Sequence, residues 1–290
     1  MIMAGRFYEI ASRFLVDKQS ESGPRASRLI SITSFRGSKH IDPWWWLVVL
    51  VVGSIVLLVT VSADPFKNIL LFVRDGVGVT ILITVVAFIF ILIVGMLGAL
   101  GRLSKNPIIY GISTLYVELV RGIPLLVQLI WWYFAFPVVI QYFGERFSIT
   151  AMANYHANAI STAITGLVFC YGAYMTEIYR AGIRSIPKGQ MEAARSLGMT
   201  YPQAMRHVIL PQAIRMVLPP VGNEFIALLK DSSLVSVVAV ADLTRRGREF
   251  MSTHFNPIEV WTMVALLYLV MTLFSGRLVS WIEKKYHTEK

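Results

Sequence analysis

Residues Glu192–Pro211 read EAARSLGMTYPQAMRHVILP, and the rest of the chain is organised around this stretch. It is polar, basic and rich in residues that start or end helices, and strongly apolar segments lie on both sides of it. The residues before Gly198 are mostly strong helix formers, and glycine commonly ends a helix because it adopts the left-handed conformation without a Cβ penalty. Thr200 and Gln203 have the spacing of a capping box, and Pro211 disfavours helix in the residue before it. The pattern predicts two short helices that meet at an angle, the second limited by Pro211.

The composition is that of an integral membrane protein. Of the 290 residues, 56% are hydrophobic and 15% are charged, and the mean hydropathy is +0.61, whereas soluble domains are about 45–50% apolar and about 25% charged. Because the apolar runs are continuous rather than alternating, they predict helices and not barrel strands. The net charge of +10 is scattered between these runs, which favours basic cytoplasmic loops over nucleic-acid binding. The single cysteine, Cys170, excludes an intrachain disulfide.

Six membrane spans are expected from the apolar runs. A basic tail over residues 1–43 places the N-terminus in the cytoplasm, and Lys284 and Lys285 after the last run place the C-terminus on the same side. The predicted spans are Trp44–Ala63, Val77–Leu103, Ile108–Val139, Ala157–Tyr174, Arg215–Leu229 and Pro257–Ile282. Within the second span, Gly95, Gly98 and Gly101 offer a face for close helix packing.

The connection at residues 230–256 does not fit this topology well. It is expected to lie outside, yet Arg245, Arg246 and Arg248 run against the tendency of basic residues to remain in the cytoplasm. Two interpretations are open: either the connection dips into the protein interior, or the topology differs locally.

Polar residues inside the spans are candidates for a translocation pathway. Arg121 and Pro124 place a charge and a helix break within an apolar segment, where both are costly and mark functional sites. Arg121 has several candidate partners, namely Glu118 on its own helix face, Glu224, or a substrate carboxylate. Prolines 219 and 220 are expected to break the fifth span, and Lys230 and Asp231 to brace its outer end. The candidates are Arg121, Pro124, Gln128, Glu177, Pro220, Asn223, Glu224, Lys230 and Asp231.

The sequence lacks three common enzyme motifs. It has no G-x-x-x-x-G-K-[ST] pattern for cradling ATP phosphates, no His/Cys/carboxylate cluster at zinc-ligand spacing and no G-x-S-x-G nucleophile. The chain is therefore expected to have no enzymatic activity and no cofactor of its own.

The opening stretch resembles the EAA loop of ABC importer permeases. Glu-Ala-Ala is followed after three residues by glycine and after eleven more by Leu-Pro, and Val208 stands where that family usually has isoleucine. The matching positions are Glu192, Ala193, Ala194, Gly198, Leu210 and Pro211. In that family the loop is cytoplasmic and docks into a cleft on the ATPase subunit, which implies a coupling role for these six residues.

Two further segments look like the polar-amino-acid branch of the same family. They are Val117–Gln128 and Lys230–Leu234, and the match extends over about residues 76–285. The resemblance implies an all-α polytopic membrane protein with a five-helix type I importer core and one extra N-terminal transmembrane helix. Its expected parts are a cytoplasmic tail at 1–43, the additional helix at 44–63, and a transmembrane domain at 76–285 with its coupling loop at 187–211.

The resemblance also implies a set of partners. An ATPase subunit would bind ATP and Mg, a periplasmic or lipid-anchored solute-binding protein would deliver a polar L-amino acid, and a second permease subunit, identical or homologous, would complete the pathway. The whole would sit in lipid in the bacterial cytoplasmic (inner) membrane. The alternatives are a permease for another small solute, or an ion-coupled secondary transporter, which also needs broken helices and buried charges but no EAA loop.

Overall fold

The structure is a computed structural model that describes residues 43–287, and within this range it is built of helices without a strand. The helices are α1 (Pro43–Val61), α2 (Ala63–Arg102), α3 (Pro107–Gly122), α4 (Leu125–Ile130), α5 (Phe136–Arg146), α6 (Thr150–Ala153), α7 (Ala159–Arg184), α8 (Lys188–Ser196), α9 (Tyr201–Ala204), α10 (Leu210–Asp231), α11 (Leu243–His254) and α12 (Pro257–His287). π-Helical turns at Trp131–Ala135 and Met205–Ile209 join α4 to α5 and α9 to α10, and a 3₁₀ helix at Ser232–Val238 follows α10. The tail expected at residues 1–43 lies outside the described residues except for Pro43.

Five helical segments in the described range are long and apolar enough to cross a membrane. They are Trp44–Val61, Ala63–Arg102, Leu125–Arg146, Ala159–Arg184 and Pro257–Tyr286. The third expected span is divided at Pro124, and only the part after the division meets the criterion. The fifth expected span lies in α10, whose charged side chains lower its hydropathy.

Helices α2 and α7 form the centre of the fold. A Cβ atom at Gly98 would overlap the Thr176 side chain of α7, and Gly95 and Gly101 are packed as closely against α7 and α3. The predicted close-packing face is therefore confirmed. The buried core around it includes Ile83, Ile91, Leu129, Leu167, Met175, Leu228 and Val235.

A second core surrounds the first half of α2. It joins that half to α11 and α12 through Val73, Phe250 and Met263, and Ile55 and Val59 of α1 pack against it. The additional N-terminal helix is attached to the main body here.

Pro211 does not end the second helix of the opening stretch, so that prediction is wrong. Helix α9 continues through the π turn into α10, and Pro211 is near the start of α10. A π turn bonds over five residues rather than four, so the turn before Pro211 absorbs the irregularity that a residue without an N–H creates.

Prolines 219 and 220 do not break α10 either, which corrects a second expectation. The helix is held by close neighbours on two sides: a Cβ at Gly182 of α7 would overlap Val217, and one at Gly222 would overlap Val279 of α12. Membrane helices tolerate internal prolines where neighbouring helices pack against them, and here tertiary packing overrides the local preference.

The segment after α10 turns back into the protein. Ser232, Val235, Ser236 and Val238 of the 3₁₀ helix are buried, and Ala239 turns the chain with a φ of 63°. The interpretation that this connection dips into the interior is confirmed.

Two of the three arginines of this connection, Arg245 and Arg246, are paired with carboxylates. Arg245 and Arg246 contact Glu249 at 3.0 and 2.9 Å, and Arg246 also pairs with Asp75 of α2. Burial raises the pKa of Glu249, but the hydrogen bonds from the two arginines outweigh it and hold this pKa below its ordinary value. The Arg248 guanidinium donates to Ser236 Oγ at 3.4 Å. Arginines paired with carboxylates present less free positive charge, which reduces the conflict of Arg245 and Arg246 with the expected topology.

Candidate functional site

Helices α8 and α9 form a hairpin, residues 188–211, whose turn is set by Gly198. The Gly198 backbone is left-handed, with a φ of +85°. Its N–H donates to the Arg195 carbonyl at 3.0 Å, and the Met199 N–H donates to the Ala194 carbonyl at 3.2 Å. This is the paired bonding of a Schellman motif, and the predicted helix end is confirmed.

The second arm of the hairpin begins as the capping pattern predicts. The Thr200 N–H donates to Gln203 Oε1 at 2.9 Å, which closes the capping box. Gln212 then ties the arms together, because its side-chain amide donates to the Val208 carbonyl at 2.8 Å and reaches Gln190 Oε1 of α8 at 3.5 Å.

The hairpin presents an exposed surface around its turn. Glu192, Ala193 and Gly198 are exposed, and Leu197 beside them is 82% exposed. Ala194 is only 4% exposed and belongs to the inner face of the hairpin. Of the expected small-residue pair, only one member therefore faces outward. Leu210 and Pro211, at the other end of the hairpin, are both exposed.

A polar cavity of about 230 Å³ lies between α4, α7 and α10. It is lined by Leu125, Cys170, Tyr171, Tyr174, Glu224 and Asp231. The Tyr171 hydroxyl donates to Asp231 Oδ2 at 2.7 Å, and the Arg121 guanidinium lies over the Tyr174 ring, 5.1 Å from its centroid. Two carboxylates thus line one cavity, and a guanidinium lies over one of its tyrosines, inside a membrane protein, where charges are retained for a functional reason.

Arg121 does not pair with Glu118, and that alternative is wrong. Within residues 43–287 Arg121 makes no ion pair, and Glu118 is paired with Arg102 of α2 at 3.5 Å. The remaining contact of Arg121 is the Tyr174 ring.

Gln128 lies outside the cavity and braces the helix break at Pro124. Its side chain is 6% exposed, and its amide nitrogen donates to the carbonyls of Val120 and Ile123 at 2.8 and 2.9 Å. These carbonyls lie at the C-terminal end of α3, where the usual i+4 donors are missing, and Val120 otherwise accepts only a long bond from the Ile123 N–H, at 3.4 Å. Its contacts are therefore those of a structural brace.

The other pathway candidates are spread over α7 and α10. Glu177 lies away from the cavity, in ion pairs with Arg102 and Arg180. Pro124 precedes α4 and is exposed, Pro220 is half-buried within α10, and Asn223 and Lys230 are exposed. Asp231 braces the end of α10 through its bond to Tyr171, and Lys230 takes no part in that contact.

Sequence reasoning did not single out the two tyrosines of the cavity or Arg102. Tyr171 and Tyr174 are three residues apart, so the helical period places them on one face of α7, and this signal was available. Arg102 had no comparable signal, because its partners are far away in the chain. No group of three or more metal-binding side chains occurs in the described part of the chain.

A larger groove of about 570 Å³ runs along α3 and α4 but is almost entirely apolar. Its walls include Leu119, Val127 and Trp131, all exposed on the outer surface of the helices. Acyl chains of the surrounding lipid suit such a surface, and the charged groups lie in the smaller cavity instead.

Membrane-spanning helices around a charged cavity, with an exposed polar hairpin and no nucleotide-binding motif, define a transport permease. Residues 91–288 match the family described as "Binding-protein-dependent transport system inner membrane component", and the chain belongs to this family. It is therefore an inner-membrane transport component, as the six residues of the EAA pattern predict.

Its relatives extend the match over most of the domain. The glutamine transport system permease protein GlnP of Escherichia coli (strain K12) is 33% identical over 211 residues, 73% of this chain and 91% of that protein. The probable glutamine ABC transporter permease protein GlnM of Bacillus subtilis (strain 168) is 37% identical over 211 residues, with the same two shares. Among solved structures, the crystal structure of an amino acid ABC transporter with histidines has a TM-score of 0.66 and 36% identity, and the match covers 78% of this chain and 97% of that one.

Proposed function

We propose that this chain is the permease subunit of an ABC importer that moves polar L-amino acids inward across the bacterial cytoplasmic membrane. The observation that carries the proposal is the hairpin at residues 188–211, with a rigid Gly198 turn and an exposed Glu192, Ala193 and Leu197 at its surface. The relatives support the amino-acid substrate, because proteins named for glutamine and amino-acid transport match this chain over nearly their whole length.

The hairpin is coupled to a separate ATPase subunit, which binds the ATP and Mg that this chain cannot hold. Helix α9, the π turn and α10 form one continuous helix from Tyr201 to Asp231, which is about 46 Å long at about 1.5 Å per residue. A displacement of the hairpin when the ATPase closes is therefore carried along one rod to Glu224 and Asp231 at the cavity. This supplies the two-state element that a distant ATPase needs in order to bias the pathway.

The cavity receives the amino acid. A zwitterion presents an ammonium group, which Glu224 and Asp231 attract, and a carboxylate, which the Arg121 guanidinium attracts. A second permease subunit, identical or homologous, completes the pathway, and a solute-binding protein delivers the substrate from outside. Both termini and the hairpin lie in the cytoplasm.

Reconstitution tests this function against its alternatives. The permease is placed in liposomes with its ATPase subunit and binding protein, and uptake of labelled glutamine, histidine, arginine and glutamate is measured with ATP on the ATPase side. We expect uptake that requires ATP and continues when ionophores dissipate ion gradients. Uptake that persists without ATP and collapses with the ionophores would identify a secondary transporter. ATP-driven uptake of sugars or inorganic anions, but of no amino acid, would identify a permease for another solute.

A further inference from the structure

A cluster of ion pairs centred on Arg102 and Glu177 joins α2, α3 and α7. Glu177 Oε1 lies 2.6 Å from Arg102 Nη1, and Glu177 Oε2 lies 2.6 Å from Arg180 Nη2 and 2.9 Å from Arg180 Nε. Arg102 also lies 3.5 Å from Glu118. The side chains of Arg102 and Glu177 are 11% and 18% exposed, so their contact is largely shielded from water.

The position of this cluster in the fold is informative. Arg102 is the last residue of α2, Glu118 belongs to α3, and Glu177 lies in the last third of α7. Only residues 185–187 separate the end of α7 from α8, the first arm of the hairpin. The cluster therefore joins α7, which leads into the hairpin, to α2 and α3, which are not directly connected to the hairpin.

Two of these helices lead towards the cavity, because α7 carries Tyr171 and Tyr174 of its lining and α3 ends next to Arg121. Arg121 and the break at Pro124 lie at the far end of α3, a few residues beyond Glu118. Next to Glu177, Thr176 occupies the space left by Gly98 of α2, so side-chain packing and the ion pair act at the same level of the helix pair.

We propose that Arg102 and Glu177 form a positioning clamp that makes α2 and α3 follow α7 when the hairpin moves. The proposal rests on the function proposed above and adds a second route from the hairpin to the cavity, besides the continuous helix that ends at Asp231. Arg102 acts through Glu177 and contacts no substrate. With the clamp intact, displacement of α7 reaches Arg121; without it, α7 slides against α2 and ATP hydrolysis proceeds with less transport.

The contribution of the Arg102–Glu177 ion pair to stability can be separated from its effect on the relative position of the helices. A shielded ion pair replaced by apolar side chains of similar volume often leaves stability unchanged, because the Coulomb attraction is offset by the cost of desolvating the charges. Arg102 Nη1 lies 2.6 Å from Glu177 Oε1 and 3.5 Å from Glu118 Oε1. One guanidinium of α2 is therefore attracted by a carboxylate of α7 and a carboxylate of α3, which an apolar side chain of the same volume would not be. The variant that removes only Arg102 leaves Glu177 paired with Arg180, so no carboxylate is stranded.

The test compares Arg102→Met with Arg245→Met in the complete reconstituted transporter. The second variant is a matched control, because it removes an arginine from another paired carboxylate, Glu249, which keeps Arg246. Amino-acid uptake and ATP hydrolysis are measured together, with co-purification of the ATPase subunit and the melting temperature as checks. For Arg102→Met we expect retained ATPase binding, a melting temperature within about 3 °C of the native protein, and about fivefold fewer amino acids moved per ATP, a change of about 1 kcal/mol.

Two further variants, Arg245→Met and Arg102→Lys, decide how the result for Arg102→Met is interpreted. Arg245→Met keeps the native ratio of transport to hydrolysis, and Arg102→Lys lies between Arg102→Met and the native protein because an ammonium keeps the charge but carries it on a more flexible stem. A native ratio in Arg102→Met, or an equal fall in Arg245→Met, overturns the clamp. Should Arg102→Met fail to accumulate in the membrane, Arg102→Lys alone decides: a reduced ratio supports the clamp and a native ratio overturns it. Failure of the proposed function itself is recognised separately, as an absence of ATP-driven uptake in the unaltered complex.

Discussion

At the scale of single residues, the carboxylates of the cavity differ in their surroundings. Asp231 accepts a hydrogen bond from Tyr171 at 2.7 Å, whereas Glu224 lines the cavity half-buried and without a hydrogen-bond partner in the described part of the chain. A carboxylate with free acceptor positions is available to a passing ammonium group. Glu224 is therefore the side chain expected to meet the substrate directly.

Glu224→Gln is expected to lower amino-acid uptake at least about tenfold, since loss of one charge-assisted contact of about 1.5–3 kcal/mol has that effect. ATPase binding is retained, because the hairpin is unchanged. The matched control is Glu145→Gln, at an exposed carboxylate near the end of α5. Equal uptake in the two variants contradicts the assignment of Glu224 to the pathway.

Gln128 and Arg121 show what single-residue reasoning from the sequence can and cannot reach. A polar side chain in an apolar run indicates a structural or functional role, but which role it has depends on the backbone and side-chain groups around it. For Gln128 these are the carbonyls of Val120 and Ile123, left free by the helix break. For Arg121 the expected local partner, Glu118, lies near Arg102 instead, because α2 packs closely on that side. Such choices depend on helix rotation, which spacing alone does not give.

At the scale of helices, the tight contact between α2 and α7 is a testable feature. Gly98→Ala would force a methyl group onto the Thr176 hydroxyl, which is buried and donates to the Gly172 carbonyl at 2.8 Å. Overpacking of this kind costs about 1–3 kcal/mol, so we expect a lower melting temperature in detergent or nanodiscs. Gly111→Ala is the control, because nothing lies within 4 Å of its Cβ position. Its melting temperature is expected to be unchanged or slightly raised, and equal behaviour of both variants would contradict the packing account.

The carboxylate of Asp242 caps the N-terminus of α11, although burial of this side chain disfavours its ionised form. Asp242 is fully buried and accepts hydrogen bonds from the N–H groups of Thr244 and Arg245 at 3.1 and 3.0 Å, and from the Tyr268 hydroxyl at 3.3 Å. Burial raises the pKa of Asp242, and these hydrogen bonds only partly oppose it. Because the folded pKa is raised, the stability from protonating this group is present below its ordinary pKa of about 3.9 and is lost as the pH rises through the folded value.

Asp242→Asn is therefore expected to melt at or above the native temperature at pH 7, since the amide keeps an acceptor for the cap and carries no charge. The advantage shrinks as the pH is lowered through the raised pKa of Asp242, because the native carboxyl then gains its proton. Asp242→Ala, which removes the cap, costs about 1 kcal/mol. A clear loss of stability in Asp242→Asn at pH 7 would show that the ionised form is the preferred one.

Predictions from the sequence are correct where a helix boundary depends on near neighbours in the chain, and wrong where it depends on contacts between distant residues. The Gly198 turn and the Thr200 capping box depend on neighbours within a few residues, and both are present as predicted. Pro211 and Pro219 were expected to end or break helices by the same local rules. They fail to do so because a π turn and the close contacts of Gly182 and Gly222 hold α10 in one piece. Local rules therefore give the turn of the hairpin and the start of its second arm, whereas the length of α10 is a property of the assembled fold.

At the scale of the whole molecule, the charge distribution predicts orientation. The hairpin carries Arg195 and Arg206 and the end of α12 carries Lys284 and Lys285, whereas Arg245 and Arg246 of α11 are paired with carboxylates. By the positive-inside tendency, this distribution predicts that the hairpin and the end of α12 lie in the cytoplasm.

This orientation can be read by labelling. Cys170 is buried, so Thr150→Cys and Ser196→Cys each add one exposed thiol to an otherwise protected chain. In intact cells a membrane-impermeant maleimide is expected to label Thr150→Cys at once and Ser196→Cys only after permeabilisation. The reverse pattern would invert the topology and remove the hairpin from the ATPase side.

The central claim is that the hairpin transmits the action of a separate ATPase, and Gly198 tests it most directly. Uptake and binding-protein-stimulated ATP hydrolysis of the reconstituted complex are compared for Gly198→Asp and Gly198→Asn, which have similar size and tolerate the left-handed turn similarly. The account predicts that Gly198→Asp, which sets a charge on the docking surface, abolishes both stimulation and uptake in a protein that still inserts in the membrane, whereas Gly198→Asn retains a large part of each. Unchanged uptake and stimulation in Gly198→Asp would contradict it, because the hairpin would then not be the coupling surface.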